Sequence, residues 1–245
     1  MSNSHTISTL GQNPDVKPDL VFKSIIVGNS GVGKTALVKK AIQTEEICRY
    51  TATIAPELIW NNYKIEDQSL CLQVWDTCGQ EAFQSLSSNF YRSSSCVILV
   101  YSVDDRDSFI DLKKWINNAK NYINEACIII LVGNKSDLTD ERMVTYEEGD
   151  KFKLDNNLDC FFETSVKENK HLKELVEYII DALYEQFLNE KAANNSDMEI
   201  KSTVSIQLRE SGTSIKKTVT KTGVVVKQEE VFAKNDNEGG SCGCV

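Results

Sequence analysis

G-N-S-G-V-G-K-T, residues Gly28–Thr35, lies between the apolar run LVFKSIIV (Leu20–Val27) and the helix-prone stretch Lys34–Gln43. It fits G-x-x-x-x-G-K-[ST] and has the context that pattern needs, a strand before it and a helix opening from it. Gly28, Gly31 and Gly33 turn the chain without Cβ clashes, so the backbone from Ser30 through Val32 to Gly33 can close its N–H groups around phosphate oxygens. The helix N-terminus adds positive potential at the same point. Lys34 is placed to reach the β- and γ-phosphates, and the Thr35 hydroxyl to ligate Mg²⁺. The plain alternative is a chance glycine turn, and an eight-residue match in the right context leaves it little room.

Outward from this loop, strands and helices alternate. Glu57–Ile65 and Leu70–Trp75 read as strands around a turn at Glu66–Ser69. CVILVYSV (Cys96–Val103) and CIIILV (Cys127–Val132) are apolar nearly throughout, which suits strands buried on both faces of a parallel sheet. Helical stretches fall at Asp107–Ile123, Tyr146–Leu154 and Leu172–Leu188. In the last, Leu172, Leu175, Val176, Ile179, Ile180, Leu183 and Phe187 recur at helical spacing. The pattern predicts an α/β fold with a mostly parallel six-stranded sheet and helices on both faces.

The rest of the chain is read by texture. Residues 1–19, polar and carrying Pro14 and Pro18, are expected to be a disordered leader. Residues 20–190 form the folded domain. Residues 191–245 hold eight Lys/Arg against seven Asp/Glu and little large apolar content, and are expected to be a flexible tail. Within it, VSIQL (Val204–Leu208) and TGVVVKQEEVF (Thr222–Phe232) read equally as short strands or docking segments.

Composition narrows the function. With 245 residues, 41% hydrophobic and 26% charged, the chain falls in the ordinary globular range and outside the collagen-like, mucin-like and wholly disordered classes. Its apolar runs are far shorter than the ~20 residues of a membrane helix. The N-terminus has no basic and apolar signal pattern, and Ser2 excludes the myristoylation motif. A net charge of −9 with no basic stripe argues against nucleic acid as a partner. Eight cysteines without a CxxC pair, beside only His5 and His171, point to reduced thiols rather than a zinc site.

Three further motifs follow in order. WDTCGQE (Trp75–Glu81) puts Asp76 at a strand end, where a carboxylate meets the shell of the same Mg²⁺. Gly79 allows the backbone to approach a γ-phosphate, and Gln80 can orient an attacking water. By itself D-x-x-G is as good a plain turn. In NKSDL (Asn134–Leu138), the Asn134 amide can both donate and accept at a purine edge. The Asp137 carboxylate can accept from guanine N1–H and N2–H₂, which adenine does not offer. Alone, that motif is a polar loop. TSVK (Thr164–Lys167) can bring a backbone N–H to the purine O6.

The four motifs in this order resemble the small GTPases of the Ras superfamily, and CLQVW (Cys71–Trp75), FYRSS (Phe90–Ser94), LVYSV (Leu99–Val103) and FFETS (Phe161–Ser165) resemble its Rab branch. The likeness covers about Leu20–Leu188 and implies a P-loop NTPase fold binding GTP or GDP with Mg²⁺. It implies that Thr53 is the switch I threonine, joining Thr35 and Asp76 at the metal, and that Tyr50 closes over the phosphates. Asn134, Lys135 and Asp137 would hold the guanine, with Ser165, Val166 and Lys167 beneath it. Gln80 would position the water, and Ala82–Arg92 would form switch II. Leu58, Trp75 and Phe90 would be a hydrophobic trio read by effectors, with ordinary packing as the alternative reading.

Departures from the family pattern are few. IAPEL (Ile54–Leu58) stands where I-G-V-D-F is usual, Cys78 replaces an Ala, and Val166 replaces another. An aromatic on the guanine is missing near Glu46 or Ile47, which predicts faster nucleotide exchange. Cys242 and Cys244 in the terminal GGSCGCV form a C-x-C pair that resembles doubly prenylated Rabs.

The resemblance thus implies a slow GTPase switch in vesicle traffic. It would be a monomer anchored by prenyl groups to the cytoplasmic face of an intracellular membrane, with a cytosolic pool. An exchange factor, a GTPase-activating protein, effectors and a prenyl-binding chaperone would be its partners. Two rival readings are a GTP-bound scaffold with little hydrolysis and a Ras- or Rho-type signalling GTPase.

Overall fold

The computed structural model describes residues 5–13, 15–43, 53, 55–77, 87–201, 204–210, 213–220 and 223–225. The chain separates into two compact units, residues 1–186 and 187–245. The first is built on a seven-stranded sheet. Its strands are β1 (Ile7–Gly11), β2 (Leu20–Val27), β3 (Glu57–Ile65), β4 (Gln68–Asp76), β5 (Cys96–Ser102), β6 (Ile128–Asn134) and β7 (Cys160–Glu163). The spatial order is β1-β3-β4-β2-β5-β6-β7. Strands β1, β3 and β4 are antiparallel neighbours, and β4, β2, β5, β6 and β7 run parallel.

The two strands read as apolar throughout are the centre of the molecule. Every residue of β5 and of β6 is buried, as expected where helices cover both faces. On one face Tyr101, Leu112, Ile116, Leu131 and Phe152 form a continuous core with Ile25 and Val97. Leu175, Ile179, Ile180 and Leu183 of the C-terminal helix are buried too, as their periodicity predicts.

The sheet has seven strands where six were expected, and the extra one comes from the leader expected to be disordered. Ile7 to Thr9 pair with Ile65 to Tyr63 of β3, and the register slips before Gly11 meets Asn62. An otherwise bare sheet edge supplies the backbone partners that a polar segment cannot find in a core. His5 fastens the strand. Its Nδ1 lies 2.7 Å from Glu66 Oε1, its Nε2 lies 3.0 Å from Glu185 Oε1, and its ring meets Tyr184 edge-on.

Helices depart from expectation at three places. The one after the phosphate loop is α1 (Lys34–Val38), continued by a π-helical turn over Lys39–Gln43, where Asn61 Nδ2 takes the Ile42 carbonyl at 2.6 Å. The stretch read as one helix over Asp107–Ile123 is two, α3 (Arg106–Ile110) and α4 (Leu112–Lys120), meeting at Asp111. Short α2 (Ser87–Tyr91) precedes β5, and α5 (Tyr146–Asp155) opens with a capping box between Thr145 and Glu148. Helix α6 runs on from Leu172 to Lys201, past the expected end at Leu188.

The second unit contains the end of α6 and a three-stranded antiparallel sheet of β8 (Val204–Glu210), β9 (Thr213–Thr220) and β10 (Gly223–Val225), in the order β10-β9-β8. The segment expected as a flexible tail carries strands: Val204–Leu208 lies within β8, and of Thr222–Phe232 only Gly223–Val225 is described, as β10, the rest lying outside the described residues. No helix among the described residues is long and apolar enough to cross a membrane.

Candidate active site

The parallel strands put their C-terminal ends on one edge, where ligands of such sheets bind. The loop after β2 is Gly28–Thr35, Asp76 ends β4, Asn134 ends β6, and Thr164 follows β7. Distant stretches of chain therefore meet at one place because the sheet is wound this way.

The loop geometry requires its glycines. Gly28 has φ 146°, and a Cβ there would stand 2.1 Å from the Val100 carbonyl oxygen. Gly33 has φ 92°, and a Cβ would stand 2.5 Å from Asn134 Nδ2. Lys34 is buried and donates to the Gly28 and Asn29 carbonyls at 2.9 and 2.8 Å. Those bonds fold its ammonium back over the mouth of the loop.

Thr35 Oγ1 donates to Asp76 Oδ2 at 2.5 Å and lies 2.5 Å from Thr53 Oγ1; Thr53 Oγ1 is 3.5 Å from the same carboxylate oxygen. The other oxygen, Asp76 Oδ1, is buried with no hydrogen-bond partner. Burial pushes the Asp76 carboxyl up, and the Thr35 hydrogen bond and Lys34 charge pull it back. A buried carboxylate oxygen without a partner, beside two hydroxyls, is a donor set that fits a small hard cation whose other positions come from phosphate and water. Among the described residues no cluster of three His, Cys, Asp or Glu offers a rival metal site.

The loops after β6 and β7 meet at the other end of the site. Asn134 is buried, and its amide joins two loops. Nδ2 donates to the Val32 carbonyl at 2.9 Å, and Oδ1 accepts from Thr164 Oγ1 at 3.2 Å. The side chain read as a purine reader thus ties the phosphate loop to the loop after β7. Asp137 accepts from Ser165 Oγ at 2.5 Å through Oδ1, and Oδ2 lies 3.8 Å from Lys167 Nζ. Ser165 Oγ also accepts from Glu168 N, so one hydroxyl locks the turn and orients the carboxylate. Lys135 holds φ 63° and pairs with Asp104 at 3.5 Å. Val166 is half-buried beside them. Behind this end, Arg142 grips Glu163 through two N–H···O bonds of 2.6 and 3.0 Å.

Leu58 faces Trp75 across the β3–β4 ladder, and Trp75 lies against Phe90 with ring centroids 5.4 Å apart. Trp75 and Phe90 pack on the core while staying half-buried, so Leu58, Trp75 and Phe90 are contiguous. Tyr50, Cys78, Gly79, Gln80, Cys242 and Cys244 lie outside the described residues, as do residues 81–86 of the expected switch II.

One residue of the loop carries more than its motif position suggests. The Asn29 side chain bonds Asp111, 82 residues on, and Trp115, 86 residues on. No spacing rule reaches that far; only the β2–β5 pairing brings α4 to the loop.

A sequence model of the Ras family matches residues 23–185. The GTP-binding protein YPT1 of Saccharomyces cerevisiae is 33% identical over 183 residues, covering 73% of this chain and 88% of that protein. The Ras-related protein RABD2a of Arabidopsis thaliana is 32% identical over 184 residues, with 75% and 89% covered. The Ras-related protein RabC of Dictyostelium discoideum is 34% identical over 182 residues, with 74% and 92% covered.

Proposed function

The chain belongs to the Ras family of small GTPases, in its Rab and Ypt branch, and from that premise we propose how its own residues work a GTP switch in vesicle traffic. The observation that carries the reading is the meeting of Thr35, Thr53 and Asp76 at the mouth of the glycine loop. The loop N–H groups from Ser30 to Gly33 cradle the phosphates, and Lys34 turns its ammonium to the β- and γ-oxygens. Thr35, Thr53 and Asp76 would hold Mg²⁺ here, and the ion would supply neutralisation of the charge that develops on the transferred group. Thr53 reports the γ-phosphate to switch I and Gly79 to switch II, with Tyr50 closing the site. Gln80 holds the attacking water in line. Loss of the γ-phosphate frees both loops.

Guanine is selected by Asp137, presented by Ser165 and Lys167, with Lys135 along the base, Val166 beneath it and Asn134 fixing the two loops. Leu58, Trp75 and Phe90 supply the apolar face that effectors read in the GTP state. Cys242 and Cys244, at the end of the second unit's span, carry the anchor. Two prenyl chains there give stable yet extractable anchoring to the cytoplasmic face of a membrane, whereas one chain is marginal.

Equilibrium binding of GTP, GDP and ATP tests the site. Guanine nucleotides are expected to bind at least ~10³-fold more tightly than ATP, because a buried acceptor left unpaired by adenine is costly. Asp137→Ala should abolish that preference, and chelation of Mg²⁺ should speed release. Equal affinity for ATP would contradict the reading.

A further inference from the structure

Asn29 has two attachments. Its carbonyl oxygen accepts from Lys34 Nζ at 2.8 Å. Its side chain reaches the α3–α4 junction, where Nδ2 donates to Asp111 Oδ2 at 2.9 Å and Oδ1 accepts from Trp115 Nε1 at 2.8 Å. The orientation of the amide is forced, since an indole N–H only donates and an ionised carboxylate only accepts. Asp111 is held in turn, its Oδ1 lying 2.6 Å from Lys114 Nζ. Hydrogen bonds from Lys114 and Asn29 keep its carboxyl below the usual range, so it stays an acceptor at neutral pH. The break between α3 and α4 falls on Asp111, and the amides of Lys114 and Trp115 return to its carbonyl. The junction is thus rigid where the loop attaches to it.

We propose that Asn29, Asp111 and Trp115 form a positioning joint that sets the height of the Asn29 carbonyl and, through it, of the Lys34 ammonium facing the phosphates. Both polar atoms of the Asn29 side chain are engaged by Asp111 and Trp115, so the residue acts through its carbonyl on Lys34. The inference rests on the nucleotide reading above. It makes α4, an element outside the four motifs, a determinant of how tightly the phosphates are held.

The network's polarity gives the test. Asn29→Asp keeps the shape and the Trp115 bond but sets two carboxylates face to face. Asp111→Asn alone leaves a neutral amide that can still accept from Asn29. The double variant reverses donor and acceptor and restores both bonds. Full-length proteins loaded with N-methylanthraniloyl-GDP and Mg²⁺ would be followed for nucleotide release. The ³¹P shift of the bound GDP β-phosphate and the melting temperature would be read alongside.

Asn29→Asp should speed release about tenfold and move the ³¹P signal, Asp111→Asn should cost under about threefold, and the double variant should return within about twofold of wild type. Additive losses in the double variant would overturn the joint. So would a lowered melting temperature with an unmoved ³¹P signal, since that marks packing alone. A wild-type chain that binds no GDP would overturn the nucleotide reading itself.

Discussion

Gly28 shows what one position can demand. Its φ of 146° is costly for any side chain, and the Val100 carbonyl fills the space a Cβ needs. Gly28→Ala should therefore destabilise the domain by about 3 kcal/mol or more in denaturant unfolding, well beyond an ordinary surface change. Asp76 makes the opposite bargain. It is fully buried with one unpartnered oxygen, so it costs stability when the site is empty. Asp76→Asn should raise the melting temperature of nucleotide-free protein while lowering Mg²⁺-dependent GTP affinity by more than about tenfold. A fall in both would mean that Asp76 is structural. The residues of the four motifs were legible in the chain because each repeats a fixed chemical pattern. Asn134 could be placed in its motif from the chain, but its bonds to Val32 and Thr164 could not, since they depend on loops brought together by the sheet.

At the scale of the element, β1 is where the sequence is least informative. ISTLG has no strong alternation, and its pairing is decided by a free edge on β3 rather than by its own propensity. Its clasp is pH-sensitive. Burial lowers the His5 pKa, but hydrogen bonds to Glu185 and Glu66 and the charges of Glu66 and Asp181 outweigh it and raise it above 6.5. A group raised on folding contributes fully below its unfolded pKa and loses that contribution as pH rises through the folded value. His5→Gln should therefore lower the melting temperature more at pH 6 than at pH 8.5. A penalty independent of pH would mean that His5 only packs against Tyr184. The break at Asp111 was hidden for a related reason. Periodicity continues across it, and the cause is a side chain held by Asn29 and Lys114 from outside the helix. Strands β5 and β6 were legible almost to the residue because unbroken burial leaves an unbroken apolar run.

For the whole molecule, the winding of the sheet explains why motifs spread over some 140 residues form one site, and that winding was legible from the alternation of strand and helix. The tail was not. Its Ser, Thr and Lys content matches both a tether and an edge-rich small sheet, and although Val204, Ile206 and Leu208 alternate with polar residues in β8, β9 and β10 carry no comparable pattern. Because the two units are separately compact, removing residues 202–245 should leave GDP affinity within about twofold of the full chain while abolishing prenyl transfer. A large loss of affinity would show that the second unit supports the site. The central claim, that this chain is a working switch rather than a nucleotide-bound scaffold, is tested by single-turnover hydrolysis of preloaded GTP beside Gln80→Leu. Slow turnover that falls further in the variant is the predicted result. Tight GTP binding without turnover in either protein would contradict it.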